Sequence, residues 1–464
     1  MPNAREIAYI SLEKCEKQKS YSNIEIDSQA KRNELKGAEK GLYVSLVYGV
    51  LERRLTLDFL ISCLSSRPLS KLDRAVIIPL RLGLYQLIFM DRIPDSAAVD
   101  ESVKLCIKHS NKALGGFVNA LLRSFLRAAP SSERKSPDKI FESEPFKSKY
   151  SLLDKFEKMS VIYSYPVWLC KHFCSSYSED MGKKIMDAQN NNKSTTLRIN
   201  TLKADRNSVL DILKEKNISA KKTEFSPFGI ITEGTSVSEL SELFQNGSIF
   251  VQDEASQLAS IVLDAKENET VIDCCACPGG KSFSSAILMN NKGKIISCDL
   301  HESKLSLITK TAGHLGIDII ETMEKDSSEY DENLANTKSG GADKVLCDVP
   351  CSGLGVIAKK PEVRYKNPAD IERLPQIQRK ILNNCAKYVR TGGSLVYSTC
   401  TLNPKENEDN VISFLNENPD FVPFDFSISS ENGKSIESEK GMFSLFPHIH
   451  NTDGFFIARM KRIK

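Results

Sequence analysis

The chain has 464 residues, 41% hydrophobic and 27% charged, a balance that sets aside both disordered and membrane-embedded classes. No apolar run approaches the ~20 residues that span a bilayer, and the richest, Ala75 to Phe89, is broken by Pro79 and Arg81. The net charge of +3 is unevenly spread, with 20 Lys/Arg against 14 Asp/Glu in residues 1–130 and 25 against 30 in residues 251–464.

The basic first third suits a domain that touches nucleic-acid phosphates, although an excess of this size is also ordinary surface. The 13 cysteines are odd in number and scattered, which fits reduced thiols rather than a disulfide scaffold. The start, Met1 to Glu6, lacks the apolar core of a signal peptide, so a cytoplasmic protein is expected.

Residues 3–128 read as nearly all helix. Apolar residues recur at three- and four-residue spacing through Leu42, Leu46, Val47, Val50 and again through Phe117, Val118, Leu121, Leu122, Phe125. Pro94 interrupts the pattern, and Asp95-Ser96 offers capping side chains before the next helix. An all-α domain over 1–130 is expected. Residues 131–150, dense in Ser, Pro, Lys and Glu, read as a linker. Residues 151–250 mix helix and strand, a small α+β domain, with strands over Thr196–Asn200 and Phe228–Thr232 and a helix over Arg206–Lys216.

Beyond 251 short apolar strands alternate with helices. The strands are Thr270–Cys274, Lys294–Cys298, Lys344–Cys347 and Ser394–Tyr397; the helices include Glu302–Leu315, Pro368–Val389 and Asn407–Asn416. That rhythm predicts a mostly parallel, doubly wound α/β sheet over 251–464, whose ligands bind outside the carboxyl ends of the strands.

The first of these strands runs into Asp273-Cys-Cys-Ala-Cys-Pro-Gly-Gly-Lys-Ser282. Gly279 and Gly280 allow close backbone approach, and the helix beyond them offers free N–H groups. Neither phosphate-binding spacing, G-x-x-x-x-G-K-[ST] or G-x-G-x-x-G, is present, so the loop should hold something other than a pyrophosphate. Asp299 ends the next strand, placed as a carboxylate that accepts from ribose hydroxyls. Asp326 and Asp348 follow at later strand ends. Singly each could be a turn or a helix cap; in this order they suit a nucleoside cofactor with a cationic sulfonium.

Two cysteines lie where strands run out into loops: Cys351 in Asp348-Val-Pro-Cys-Ser-Gly353, and Cys400 in Ser398-Thr-Cys-Thr-Leu-Asn-Pro-Lys-Glu-Asn-Glu408. Carbon 5 of cytosine is too electron-poor to attack a methyl donor. A thiolate adding at carbon 6 makes carbon 5 enamine-like, the logic of covalent catalysis by an activated cysteine. Asp348 is the candidate acid for N3 of the ring. Cys15, Cys63, Cys106, Cys298, Cys347 and Cys385 read as packing residues. Cys170 and Cys174 form one spaced pair in a helical stretch, and no second pair completes a zinc set, so no metal is expected.

These motifs resemble those of the RsmB (Sun/Fmu) family of 16S rRNA cytosine-5 methyltransferases, within the NOL/NOP2/Sun group. Asp273 to Ser282 is similar to D-x-C-A-A-P-G-G-K-T, Asp348 to Gly353 to D-A-P-C-S-G, and Ser398 to Glu408 to S-T-C-S-x-x-P-x-E-N-E. Leu197 to Lys203 and Val251 to Leu258 also resemble family segments, and Val47 to Arg54, Leu82 to Leu87 and Phe117 to Arg123 resemble the NusB-like RNA-binding domain of this subfamily. Departures are Cys277 for Ala, Ser282 for Thr, Val349 for Ala and Thr401 for Ser; none removes a reacting group.

The resemblance implies a Rossmann-like (class I) catalytic domain, S-adenosyl-L-methionine as methyl donor, and cytosine 967 of 16S rRNA, free or in a small-subunit assembly intermediate, as target. It implies Cys400 as nucleophile at carbon 6 and Cys351 as the residue that assists resolution of the adduct. It places Cys275, Ala276, Cys277, Pro278, Gly279, Gly280, Lys281, Asp299, Asp326 and Asp348 at the cofactor, with Asp348 also facing the cytosine. A monomer without metal or membrane partners is expected. The alternatives are a methyltransferase for another rRNA or tRNA site, an inactive RNA-binding assembly factor, and a DNA cytosine methyltransferase, which would lack the Thr-Cys motif.

Overall fold

In the computed structural model the described residues are 2–18, 22–131, 134, 136–191, 194–233, 239–337 and 340–464. They form two compact units: Met1–Asn190 with Lys359–Lys366, and Asn191–Ala358 with Asn367–Lys464.

The first unit is helical. The helix Arg74–Phe89 is buried nearly all round, from Ala75 to Ile88, as expected of a central helix in a bundle. This explains the apolar run noted in the sequence. Arg81 within it is tolerated because Asp58 takes its guanidinium in a fork at 2.6 and 2.8 Å and Glu16 takes the remaining edge. Pro94, not Asp95, stands at the N-cap of the helix Asp95–His109, with no side-chain cap. Asp95 instead grips Arg134 with two bonds of 2.9 and 2.8 Å.

The 131–150 stretch is not a free linker, although residues 132, 133 and 135 lie outside the described residues. It holds the short helices Pro137–Ile140 and Phe146–Ser151, and Ile140, Phe141 and Phe146 are buried in the helical core. Three sparse aromatic or aliphatic anchors suffice to dock it, too few to make a periodic pattern. The helices Lys155–Tyr163, Val167–Ser176 and Glu179–Asn191 continue the same unit, so it extends well past residue 130.

The second unit contains two main sheets. Strands β1 (Ser194–Ile199), β2 (Ala220–Lys222), β3 (Gly229–Glu233) and β4 (Ile249–Val251) form an antiparallel sheet in the order β2-β3-β1-β4. Leu197, Ile199, Ile230 and Ile249 make its own small core with Val209 and Leu213 of the helix Arg206–Glu215. On the opposite face of β1, Arg198 is fully buried over the ring of Phe228 at 4.6 Å. None of its guanidinium nitrogens has a hydrogen-bond partner, and burial pushes its pKa down to about 9.

The larger sheet is built from β5 (Thr270–Asp273), β6 (Lys294–Asp299), β7 (Ile320–Glu324), β8 (Ala342–Asp348) and β9 (Val389–Thr399), all parallel. After it come β10 (Phe421–Pro423), the small hairpin β11 (Ser427–Ser429) and β12 (Ser435–Glu437), β13 (Met442–Leu445) and β14 (Phe455–Arg462). The order is β10-β14-β9-β8-β5-β6-β7, with β14 antiparallel to β9 and β13 paired to β14. The chain leaves β5 toward β6 and β7, then returns to β8 and β9 on its other side. That reversal opens a crevice at the carboxyl end of β5, where doubly wound sheets bind ligands. No helix among the described residues is long and apolar enough to cross a membrane.

Candidate active site

The site is assembled by strand register. Asp348 and Ser398 are partners at the ends of parallel strands β8 and β9. Three residues past Asp348 comes Cys351 and two past Ser398 comes Cys400, so two loops far apart in sequence leave the sheet side by side. Their sulfur atoms stand 2.9 Å apart.

The loops are cross-tied. The Gly355 N–H donates to the Cys400 carbonyl at 3.0 Å, and the hydroxyls of Ser352 and Thr401 bond at 2.6 Å. Glu406, fully buried, accepts from the Ser352 N–H at 2.9 Å and from Gln378 Nε2 at 2.8 Å with one oxygen, and from Asn403 Nδ2 with the other. Asn407 accepts from Thr399 Oγ1 and donates to the Thr401 carbonyl. The acidic tail of the Cys400 motif is thus an internal fastening for both loops. Sequence reading quoted Glu406 within that motif without assigning it this task.

Beneath the cysteines lies a charged triad. Lys281 Nζ donates to Asp348 Oδ2 at 2.7 Å, and Ser398 Oγ donates to Asp348 Oδ1 at 2.7 Å. Both carboxylate oxygens of Asp348 therefore accept. Lys281, which the resemblance placed at the cofactor, is thereby joined to Asp348, the candidate acid for N3 of the ring. Burial works to neutralise Lys281, but the charge and hydrogen bond of Asp348, joined by Cys400 and Asp273, prevail and hold its pKa above the ordinary value. The Cys351 thiol is likewise pushed well up, first by the hydrogen bond it shares with Cys400 and then by burial. Cys400 also lies close enough to Lys281 for the two to interact through their charges.

The loop after β5 closes the site from the other side. Gly279 adopts a φ of 103° at the N-cap of the helix Gly280–Leu288, where a Cβ would meet the Phe283 ring at 2.4 Å. Ala276 is buried and its N–H donates to the Cys298 carbonyl at 2.8 Å, pinning the loop across β6. Cys275 and Cys277 are half-buried, and burial raises both thiols; Pro278 is exposed. Asp273, absent from the expected site, is fully buried below the loop. It accepts from Ser282 Oγ at 2.6 Å, and burial raises its pKa to about 7 despite that bond.

Asp299 is half-buried at the end of β6, with Lys304 at 3.7 Å. Asp326 is exposed after β7; bonds from the Ser328 hydroxyl and N–H lower its pKa. Both line the same rim, farther from the cysteines along the strand order. Among the packing cysteines, Cys106, Cys298, Cys347 and Cys385 are buried as expected, while Cys15 and Cys63 are only partly so. A cavity of about 660 Å³ opens elsewhere in this unit, between Glu408, Ile412, Met442 and Phe446; none of the residues of the charged triad or the two cysteines lines it.

The doubly wound sheet and its loops fall within a methyltransferase family. The family model described as 16S rRNA methyltransferase RsmB/F matches residues 260–461, a ferredoxin-like domain of RsmF/B-like methyltransferases matches 165–238, and the NusB family matches 2–127. The chain belongs to the ribosomal RNA small subunit methyltransferase B family. It is 37% identical to the probable ribosomal RNA small subunit methyltransferase B of Bacillus subtilis (strain 168), over 99% of each chain. It is 34% identical to the probable enzyme of that name from Synechocystis, over 100% of each. The solved structure of PH0851 superposes with a TM-score of 0.78 at 28% identity, covering 100% of this chain and 99% of that one. The ferredoxin-like match begins inside the helical unit and ends after β3.

Proposed function

We propose that the chain transfers a methyl group from S-adenosylmethionine to carbon 5 of a cytosine in small-subunit ribosomal RNA, through a covalent adduct between Cys400 and carbon 6. The observation that carries this reading is the 2.9 Å approach of Cys351 and Cys400 above the Lys281–Asp348 pair. Two sulfurs in contact beside a held ammonium suit addition by one and its later release with help from the other. The kinship with methyltransferase B proteins along the whole chain supports rRNA as substrate, and cytosine 967 of 16S rRNA is the position to test first.

The residues fit the methyl donor. Gly279 and Gly280 leave room for close approach, the first turn of the helix after them has no side-chain cap, and Asp299 stands at the next strand end for ribose hydroxyls. Cys275 to Lys281 and Asp299, with Asp326 farther along the rim, would hold it. When bound, it supplies a methyl group made electrophilic by a sulfonium.

The chain's own residues then do the rest. The Cys400 thiolate, favoured by the Lys281 charge, adds to carbon 6 of the ring. Lys281 donates toward N3 as negative charge builds there, while Asp348 and Ser398 keep its ammonium in place. Carbon 5, now an enamine carbon, takes the methyl group. Loss of the carbon 5 proton to a base re-forms the ring double bond as the carbon–sulfur bond breaks. The leaving thiolate is met by the Cys351 S–H, its immediate neighbour.

The test is incubation of wild type, Cys400→Ala and Cys351→Ala with labelled 16S rRNA and S-adenosylmethionine, followed by denaturing gels. Wild type should methylate, Cys400→Ala should neither transfer nor attach, and Cys351→Ala should accumulate a protein–RNA band. An adduct retained by Cys400→Ala and lost by Cys351→Ala would reverse the roles. A wild type that transfers nothing, on RNA or on small-subunit particles, would favour an assembly factor without activity.

A further inference from the structure

The ammonium of Lys281 has a neighbour besides Asp348. Its Nζ lies over the ring of Phe455, 5.1 Å from the centroid, within reach of a cation–π contact. Phe455 opens β14 and is only 2% exposed, and the Lys281 side chain is 12% exposed. Water therefore screens the contact little, and a desolvated contact of this kind stands at the strong end of its range.

The ring is placed by the same crossing that sets the cysteine loops. The Gly454 N–H donates to the Gly355 carbonyl at 2.9 Å, and the Gly355 N–H donates in turn to the Cys400 carbonyl at 3.0 Å. The two backbones touch. A Cβ on Gly355 would stand 1.8 Å from the Gly454 carbonyl oxygen, and a Cβ on Gly454 would stand 2.7 Å from the Leu402 side chain. Phe455 itself pairs with Leu445 of β13, and the next residue, Phe456, pairs with Thr399 of β9. The position of the ring is thus tied to that of the loop that carries Cys400.

An aromatic face suits this place. A second carboxylate would hold the ammonium more firmly, but it would also compete for its proton. A π face attracts the charge and has no lone pair to take the proton. Asp348 is bonded to the ammonium, and Cys400 and Asp273 act on it through charge; each of these three can bind a proton, and Phe455 cannot. We propose that Phe455 is a positioning residue for methyl transfer, its ring holding the Lys281 ammonium charged and in place so that the proton stays available to the cytosine. This rests on the reading of the chain as a cytosine-5 methyltransferase in which Lys281 donates toward N3. Phe455 acts through Lys281.

The experiment is single-turnover methyl transfer to 16S rRNA by the full chain, with the Phe455 ring carrying no, one, two or three fluorines introduced by amber suppression, and by Phe455→Leu. Fluorines drain the negative face of the ring and change its shape little, so a residue that only fills space leaves the rate level across the series. The saturated rate should instead fall stepwise with each fluorine, about tenfold over the series, while the half-saturating concentrations of RNA and S-adenosylmethionine stay put. Phe455→Leu should be slowed at least as much. A rate that is level across the fluorinated rings would overturn the proposal whatever Phe455→Leu does, and so would a loss confined to the half-saturating concentrations. If the unsubstituted protein transfers nothing to 16S rRNA or to small-subunit particles, the reading of the function itself fails and this role falls with it.

Discussion

Asp273 shows how far burial alone can move a side chain. It lies under the loop that follows β5, with one oxygen bonded to Ser282 and the other without a partner, and its pKa is raised to about 7. An unfolded Asp titrates near ~4. The proton retained in the fold thus contributes stability that is full below about 4 and is lost as pH rises through about 7. Asp273→Asn keeps the shape and removes the titration. Its thermal midpoint, measured against wild type across that window, should improve steadily as pH rises; a constant difference would show that Asp273 titrates ordinarily. Sequence reading passed over this residue because a carboxylate at a strand end looks the same whether it faces a ligand or lies beneath it.

Among the elements, the loops after β8 and β9 carry the site, and they are held by partners that neither loop could supply alone. Glu406 takes the Ser352 N–H and the Gln378 amide into one buried oxygen. Glu406→Ala would remove the acceptor shared by the Ser352 N–H, Gln378 Nε2 and Asn403 Nδ2 and should cost about 3 kcal/mol. Urea unfolding would read the loss, and methyl transfer should fall more than stability accounts for, since the spacing of Cys351 and Cys400 depends on the same tie. A variant with unchanged transfer would separate the fastening from the chemistry. The central strands β5, β6, β8 and β9 were legible as short apolar runs, the first three read to a Cys and the last to Tyr397. The strands after residue 420 were not, because β10 to β12 have three residues each and β14 turns from Phe455-Phe-Ile-Ala458 to charged residues without alternation. Short edge strands are defined by the neighbour they pair with, which is β14 for β10 and the other strand of the hairpin for β11 and β12.

For the whole molecule, the segment Lys359–Lys366 belongs with the helical unit, although the chain on either side of it belongs to the sheet unit. Its anchor is Arg364, fully buried against the Tyr165 ring at 4.3 Å. It donates to the carbonyls of Glu52 and Ser164 at 2.7 and 3.1 Å and to Asn190 Oδ1 at 2.9 Å. Arg364→Ala would take a donor from two buried acceptors and one half-buried one and should destabilise the helical unit by about 3 kcal/mol. Hydrogen exchange should then accelerate in the helices Gly37–Leu64 and Glu179–Asn191. Unaltered protection there would mean that the segment rests on the helices without supporting them.

Local pattern settled the class of each half. Helical spacing defined the first unit, alternation of strand and helix defined the doubly wound sheet, and three motifs in order placed Cys351, Cys400, Asp348 and the Gly279-Gly280 loop at strand ends. These features depend on neighbours in sequence, so periodicity and motif spacing reveal them. Tertiary structure alone decided that Lys281 and Ser398 both bond Asp348, that Glu406 ties the two cysteine loops, that Gln252 meets the helix Gly280–Leu288 through Ser284, and that residues 137–151 and 359–366 pack with the helical unit. Each of those facts is a meeting of residues tens to hundreds of positions apart, fixed by which buried donor finds which acceptor.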